Sequence, residues 1–570
     1  MGATYGDALD ELTASGQFFE TAQRELGGID YRAFVNGPTT LLDVFAGARG
    51  SDKTFLVYED EEWTFHDVLA EADALGHALV HEYAVRPGDR VGIAMRNLPE
   101  WIVAFTATLS VGAISVSLNA WWTEEELDYA VGDAGCSLVI CDPERMARAH
   151  PACERHGVPV LVSRADLLVP VPPGVARWKD VVVRGNELPH VDVDPENDAT
   201  ILYTSGTTGF PKGAVSSHRA ICQALMAFGC RGALLGMLRG PNPSAPPGGS
   251  SPPCFILIVP LFHVTGCIPV MLSCYSLQLK LVMLHRWDPE KALELIERHK
   301  VTQFVGVPTQ SWDLLESPRF AEFDTSSLVS VGGGGAPAPP RLVARIEGSF
   351  SKGRPGIGYG MTETNAFGPG NSGDDYVEHP TSTGRARTPI LDVEIRDDAL
   401  RAVPTGERGE IWMKGPNLFR GYWGNPEATA ETIVGGWLRS GDIGRVDDAG
   451  FLYVEDRAKD MVLRAGENVY SAEVEAAIYE HPAVYEAAVF GVAHERLGEE
   501  VACVVALKQG TSLGADELRD HLASHLAVFK IPTRIEFTRD HLPRNPAGKF
   551  LKRELRETYF SASSPSAAST

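Results

Sequence analysis

From Arg90 the chain reads RVGIAM, PEWIVAFTATLSVG, AISVSL, TEEELDYAVGDAG and CSLVICD in succession. Short apolar, β-rich runs alternate with helical periodicity, which predicts βαβ units and a parallel sheet. Thr123 and Glu126 stand at the spacing of a capping box for the second helix. The pattern returns further on. LQLKLVML is followed by DPEKALELIERHK, with Asp288 as N-cap, Pro289 at the first helical position and Ala292, Leu293, Leu295 and Ile296 as an apolar face; VTQFVGVP is the next strand. The two blocks share no residue-level self-similarity, so they predict two parallel-sheet βαβ subdomains in one large α/β body rather than a tandem repeat.

Near Gly450 the texture changes to short strands and tight turns, a small β-rich subdomain. A compact α+β tail follows, in which SAEVEAAIYEHPAV and DELRDHLASHLA read as helices and YEAAVFGVA, EEVACVVALK and TRIEFTR as strands. The boundary falls near Asp456 to Asp460. Residues 1–456 are then an N-terminal body, 457–560 a C-terminal domain, which the family resemblance given below implies is mobile, and 561–570 a disordered tail. The Pro/Gly/Ser stretch from Gly240 to Pro253 reads as an irregular surface connection.

With 570 residues, 44% of them hydrophobic, the chain can bury a large core. Its formal net charge of −24 argues against nucleic acid or an anionic membrane as partner, so any anionic ligand must meet a local basic site. Nine cysteines without a CxxC pair, and no early apolar leader, point to a reducing, cytoplasmic setting. CFILIVPLFHV, from Cys254 to Val264, is too short to cross a bilayer and reads as a buried strand running into a site, so no transmembrane segment is expected.

YTSGTTGFPKG, from Tyr203 to Gly213, surrounds one lysine with glycines and hydroxyls. Glycines let backbone N–H groups approach an anion, hydroxyls add rotatable donors and lysine adds charge, so phosphate is the natural guest. It is not a Walker loop, because Pro211 precedes Lys212 and Gly213 follows it.

That loop and six later motifs, PLFHVTG, GGGGAPAPP, YGMTET, GWLRSGD, DRAKDMVLRAGENVY and LPRNPAGKFLKRELR, together resemble the adenylate-forming superfamily of acyl- and aryl-CoA synthetases, adenylation domains and beetle luciferases. The resemblance covers nearly the whole chain. It implies an ATP- and Mg²⁺-dependent acyl-CoA synthetase that joins a carboxylic acid to AMP, expels pyrophosphate and passes the acyl group to CoA. Passage to a carrier protein or another acceptor is the alternative, and an inactive nucleotide-binding regulatory protein is a rival of another class.

The resemblance also implies site residues. Thr204, Ser205, Gly206, Thr207, Thr208, Gly209 and Lys212 would hold the β- and γ-phosphates, with Thr208 among the catalytic groups. Gly334, Gly335, Ala336 and Pro337 would wall the adenine, Tyr359 would stack near it with Gly360 and Met361, and Thr362 would touch phosphate. Glu363 would hold Mg²⁺, a hard cation suited to a carboxylate plus substrate oxygens. Asp442 and Arg457 would hold the ribose, with Lys459 the hinge; Asp456 and Ser440 replace the family's usual Gly and Thr without removing a required group. Lys549 would bridge carboxylate and α-phosphate. His263, Val307, Gly333 and Met361 would line the acyl pocket, with His263 also clearing the path of the CoA thiol, and Arg464 and Gly466 would meet CoA. Segments around this pocket suit medium-chain, aromatic or polycyclic acids. PLFHVTG has no carboxylate to hold an α-ammonium, which disfavours amino acids. Trp121 and Trp122 read as buried packing residues.

Overall fold

The computed structural model describes residues 4–165, 169–204, 211–239, 252–457, 460–464, 467–494, 496–545 and 549–560, with the side chains of 457, 467 and 468 left aside. The two expected strand-helix blocks enter two different eight-stranded sheets. In the first, Asp198–Thr204, Ile114–Ser117, Arg90–Ala94, Leu138–Cys141, Val160–Val162 and Val175–Arg177 run parallel in that spatial order. In the second, the parallel strands are Arg354–Gly358, Ser330–Gly334, Gln303–Gly306, Cys254–Leu257, Lys280–Met283 and Thr54–Tyr58. Antiparallel strands close one edge of the first sheet, Lys212–Ser217 and Gly421–Tyr422, and both edges of the second.

Helix Pro99–Ser110 has every residue buried. A helix apolar on all sides belongs in an interior, and this one lies in a core cluster that holds Val91 and Ile93 from the first sheet with Leu56 and Ile256 from the second. Thr123 caps helix Glu124–Ala134 through a capping box, and Asp288 accepts the N–H of Lys291 at the start of Pro289–His299. Helix His218–Arg239 is long and apolar enough to cross a bilayer, yet half of its apolar window is buried inside the protein, against both the inter-sheet core and a third cluster.

Five strands between Gly384 and Arg457, with the short Ile433–Val434, build a third, antiparallel sheet. The chain leaves it after Phe451–Arg457 and enters the tail sheet at Val462–Arg464. In the tail, Val484–His494 and Gly498–Leu507 pair antiparallel, Arg534–Thr538 runs parallel to the latter, and the helices Ser471–Tyr479 and Ala515–Ala523 stand where their periodicity placed them. All nine cysteines are buried and free. Of the Pro/Gly/Ser stretch, residues 240–251 lie outside the described residues.

Candidate active site

The two ends of the glycine and hydroxyl motif lie on paired antiparallel strands. Thr204 ends one strand and faces Lys212, which begins the next, and the Thr204 hydroxyl donates to the Lys212 carbonyl at 3.4 Å. Ser205, Gly206, Thr207, Thr208 and Gly209 lie outside the described residues. The Lys212 ammonium sits 5.1 Å from the centre of the Tyr422 ring. The Tyr422 hydroxyl donates to Glu363 Oε1 at 2.7 Å; burial and that carboxylate raise the phenol far above its ordinary value, so it remains a donor. Lys212 and Glu363, 151 positions apart by their numbers, are thus brought to one tyrosine.

Glu363 lies in the short 3₁₀ turn Thr362–Thr364, directly after the strand Arg354–Gly358 and the segment Tyr359 to Met361. The Tyr359 hydroxyl donates to Asp442 Oδ2 at 2.6 Å, and the Asp442 N–H donates to Ser440 Oγ at 3.0 Å. Asp442 stands opposite Arg457 in the ladder between neighbouring strands, so the pair expected to share one ligand occupies one register position. In GGGGAPAPP, Gly335 adopts a positive φ of 81°, which suits glycine. A Cβ on Gly333 would stand 1.5 Å from the Gly306 carbonyl oxygen, so that glycine serves the close approach of two strands and lines neither cavity described below.

Gly335, Ala336, Pro337, Tyr359, Gly360, Met361 and Asp442 line one wall of a cleft of about 1420 Å³. The tail lines the same cleft and contributes Lys549. A clamp of two backbone-anchored bonds presents this lysine: Asn545 N–H donates to the Lys549 carbonyl at 2.8 Å, and Lys549 N–H donates to Asn545 Oδ1 at 2.9 Å. The neighbouring Arg544 is tied at 3.1 Å to Glu486, a carboxylate only 3% exposed, which also accepts the Leu542 N–H at 2.7 Å. Glu486 is a functional candidate the sequence reading missed; its signal was one charge inside the apolar strand YEAAVFGVA. Exchanging Glu486 for Gln strips the buried countercharge from Arg544 and loosens the Lys549 clamp. Acid-dependent ATP–pyrophosphate exchange then falls about tenfold, equivalent to ~1.4 kcal/mol, while transfer from supplied acyl-adenylate holds within about twofold.

A second cavity of about 430 Å³ adjoins the cleft, sharing Gly335, Arg544 and Asn545 with it. His263 and Val307 line it together with Gly334. Thr265 N–H donates to His263 Nδ1 at 3.3 Å, which leaves Nε2 to carry the proton of a neutral ring. Burial lowers this imidazole to about 4, and the Lys549 ammonium pushes the same way, so His263 is neutral at physiological pH. The loop turns back sharply, since a Cβ on Gly266 would stand 2.2 Å from the Pro260 carbonyl oxygen, and it runs into the π-helix Gly266–Leu272, where Pro269 lacks the N–H of an ordinary helical turn.

The four residues expected to form one acyl pocket are therefore divided: His263 and Val307 face the small cavity, Met361 the large cleft and Gly333 neither. Arg464 also faces neither; it stands on a tail strand opposite Gly498. Lys459, Gly466 and the Arg457 side chain lie outside the described residues. Trp122 is buried as expected, but Trp121 is 40% exposed and lines the small cavity, because it sits in the loop that leaves the strand end. A body-to-tail contact was not legible in sequence either: Asp313 accepts from Trp287 Nε1 at 2.8 Å and from the Tyr485 hydroxyl of the tail at 2.9 Å.

The profile of the AMP-binding enzyme family matches residues 43–423, and that of the AMP-binding enzyme C-terminal domain matches residues 473–549. The chain is an AMP-binding enzyme. Among characterised AMP-binding enzymes, the feruloyl-CoA synthase of an Amycolatopsis species is 36% identical over 83% of this chain and 90% of its own length. The long-chain-fatty-acid–CoA ligase of Bacillus subtilis (strain 168) is 32% identical over 90% of this chain and 93% of its own. Among solved structures, the amide bond synthetase McbA of Marinactinospora thermotolerans superposes with a TM-score of 0.78 at 31% identity, covering 91% of this chain and 99% of that one.

Proposed function

We propose that this enzyme is an ATP-dependent acyl-CoA synthetase working in two half-reactions at the junction of body and tail. The observation that carries the reading is the meeting, around one cleft, of Tyr359 and Asp442 from the body with Lys549 from the tail, next to the neutral His263. In the first half-reaction a carboxylate oxygen attacks the α-phosphorus of ATP, the bond to pyrophosphate breaks, and acyl-AMP remains. Charge builds on phosphate oxygens, and a lysine already in place stabilises it without reorganisation. Asp442 accepts ribose hydroxyl hydrogens while Tyr359 orients it, and Lys212 with residues Ser205 to Gly209 takes the departing pyrophosphate.

Glu363 suits Mg²⁺, because that ion is commonly held by one or two carboxylates plus substrate phosphates, and the Tyr422 hydroxyl fixes the orientation of this carboxylate. When bound, the ion neutralises phosphate charge. In the second half-reaction the CoA sulfur attacks the acyl carbonyl and AMP leaves. The tail rotates about Lys459, withdraws Lys549 and presents Arg464 and Gly466. Residues 1–456 and 457–560 are the two moving bodies in this reading. Nine buried, unpaired thiols fit a reducing, cytoplasmic setting.

The similarity to an amide bond synthetase favours one further reading, in which an amine accepts the acyl group. A panel of fatty, aromatic and ring-bearing acids in ATP–pyrophosphate exchange identifies the acid. With that acid, CoA and amines offered separately decide the acceptor; an amide product without thioester would replace the CoA reading.

A further inference from the structure

The turn that carries Glu363 leads into two consecutive residues in the left-handed region, Asn365 with a φ of 51° and Ala366 with 63°. Asparagine tolerates that conformation and alanine resists it, so surrounding structure must hold the chain there. The hold comes from a residue 52 positions further on. Asn365 Nδ2 donates to the Asn417 carbonyl at 3.0 Å, and Asn417 Nδ2 donates to the Thr364 carbonyl at 2.9 Å. Both acceptors are main-chain oxygens, so the amide nitrogens must face them. Each asparagine is fully buried, and each amide oxygen is buried without a hydrogen-bond partner among the described residues. Gly415 leaves room for the Asn417 oxygen, since a Cβ there would stand 2.7 Å from it. A buried unpaired acceptor costs stability, so the pair is a poor device for stability alone; what it fixes is geometry.

The segment that Asn417 begins grips the turn twice more. Phe419 N–H donates to the Glu363 carbonyl at 2.8 Å, and the Tyr422 hydroxyl holds the Glu363 carboxylate. Gly421 and Tyr422 then pair with the strand that Lys212 begins. Residues 417–422 thus strap the Glu363 turn to the Lys212 strand. We propose that Asn365 and Asn417 are positioning residues, which anchor this strap, set where the Glu363 carboxylate stands relative to Lys212, and so govern how tightly Mg·ATP is held. The proposal rests on the reading that Glu363 takes the Mg²⁺.

Equilibrium dialysis of ATP, with excess Mg²⁺ or with EDTA in its place, reads the metal's contribution without turnover. Asn417→Leu is of similar size, removes one unpaired oxygen and leaves the Thr364 carbonyl bonded to Phe367 N–H at 3.1 Å, so it folds with an undiminished melting temperature. It nevertheless raises the Kd for Mg·ATP about tenfold, the low end of the loss when a group orienting a metal ligand is removed, and moves the Kd for ATP in EDTA less than about twofold. Asn365→Gly, which keeps the left-handed backbone and deletes the amide, does the same. In a Glu363→Gln background neither substitution changes the Kd for Mg·ATP more than about twofold, because the effect passes through that carboxylate. An Asn417→Leu enzyme with an unchanged Kd for Mg·ATP overturns the proposal. So does equal weakening with Mg²⁺ and with EDTA, or a tenfold loss that persists in Glu363→Gln. A wild-type enzyme that binds ATP no more tightly with Mg²⁺ than with EDTA overturns the metal reading of Glu363 instead.

Discussion

Lys549→Ala slows acyl-adenylate formation by at least about a hundredfold, a typical loss for one preorganised donor, and spares thioester formation from supplied acyl-adenylate. The asymmetry is the informative part. Lys549 reaches the cleft only as part of the tail, held by the Asn545 clamp and by the Tyr485 contact with Asp313. A lysine needed only for stability would lower both half-reactions together, whereas a lysine delivered for the first step and withdrawn for the second affects one. Separate measurement of ATP–pyrophosphate exchange and of thioester formation from synthetic acyl-adenylate distinguishes them, and equal losses would refute the alternating tail.

The second large effect is at Asp442. Asp442→Ala removes the acceptor of the Tyr359 hydroxyl and the group assigned to the ribose, and raises the KM for ATP about thirtyfold, equivalent to ~2 kcal/mol for hydrogen bonds to a charged group. Tyr359→Phe keeps the ring and loses only the orienting bond, so its increase is about fivefold at most. Initial rates at varied ATP and saturating acid check both. An Asp442→Ala enzyme with unchanged KM for ATP would move the nucleotide out of this cleft.

Much of this organisation is local and therefore legible in sequence. The period-2 and period-3.6 runs from Arg90 onward give strands and helices at the observed places, and the caps at Thr123 and Asp288 mark two helix starts because their partners lie three residues away. What the sequence reading missed depends on residues distant along the chain. Tyr422 binds Glu363 because the edge strand Gly421–Tyr422 docks on Lys212–Ser217, a pairing with no local signature. The contact between Asp313 and Tyr485 spans 172 positions. Motif resemblance grouped His263, Val307, Gly333 and Met361 as one pocket, and although all four lie on or just after strands of the second sheet they face different spaces: the Gly306 carbonyl occupies the space in front of Gly333, and Met361 follows the strand that borders the large cleft.

The most direct test follows pyrophosphate, AMP and acyl-CoA in one reaction, with the best acid of the panel and with CoA present or absent. The account predicts that ATP–pyrophosphate exchange proceeds without CoA, and that AMP release and thioester mass appear together, in equal amounts, only when CoA is added. Sustained AMP release with CoA present but no thioester would contradict it.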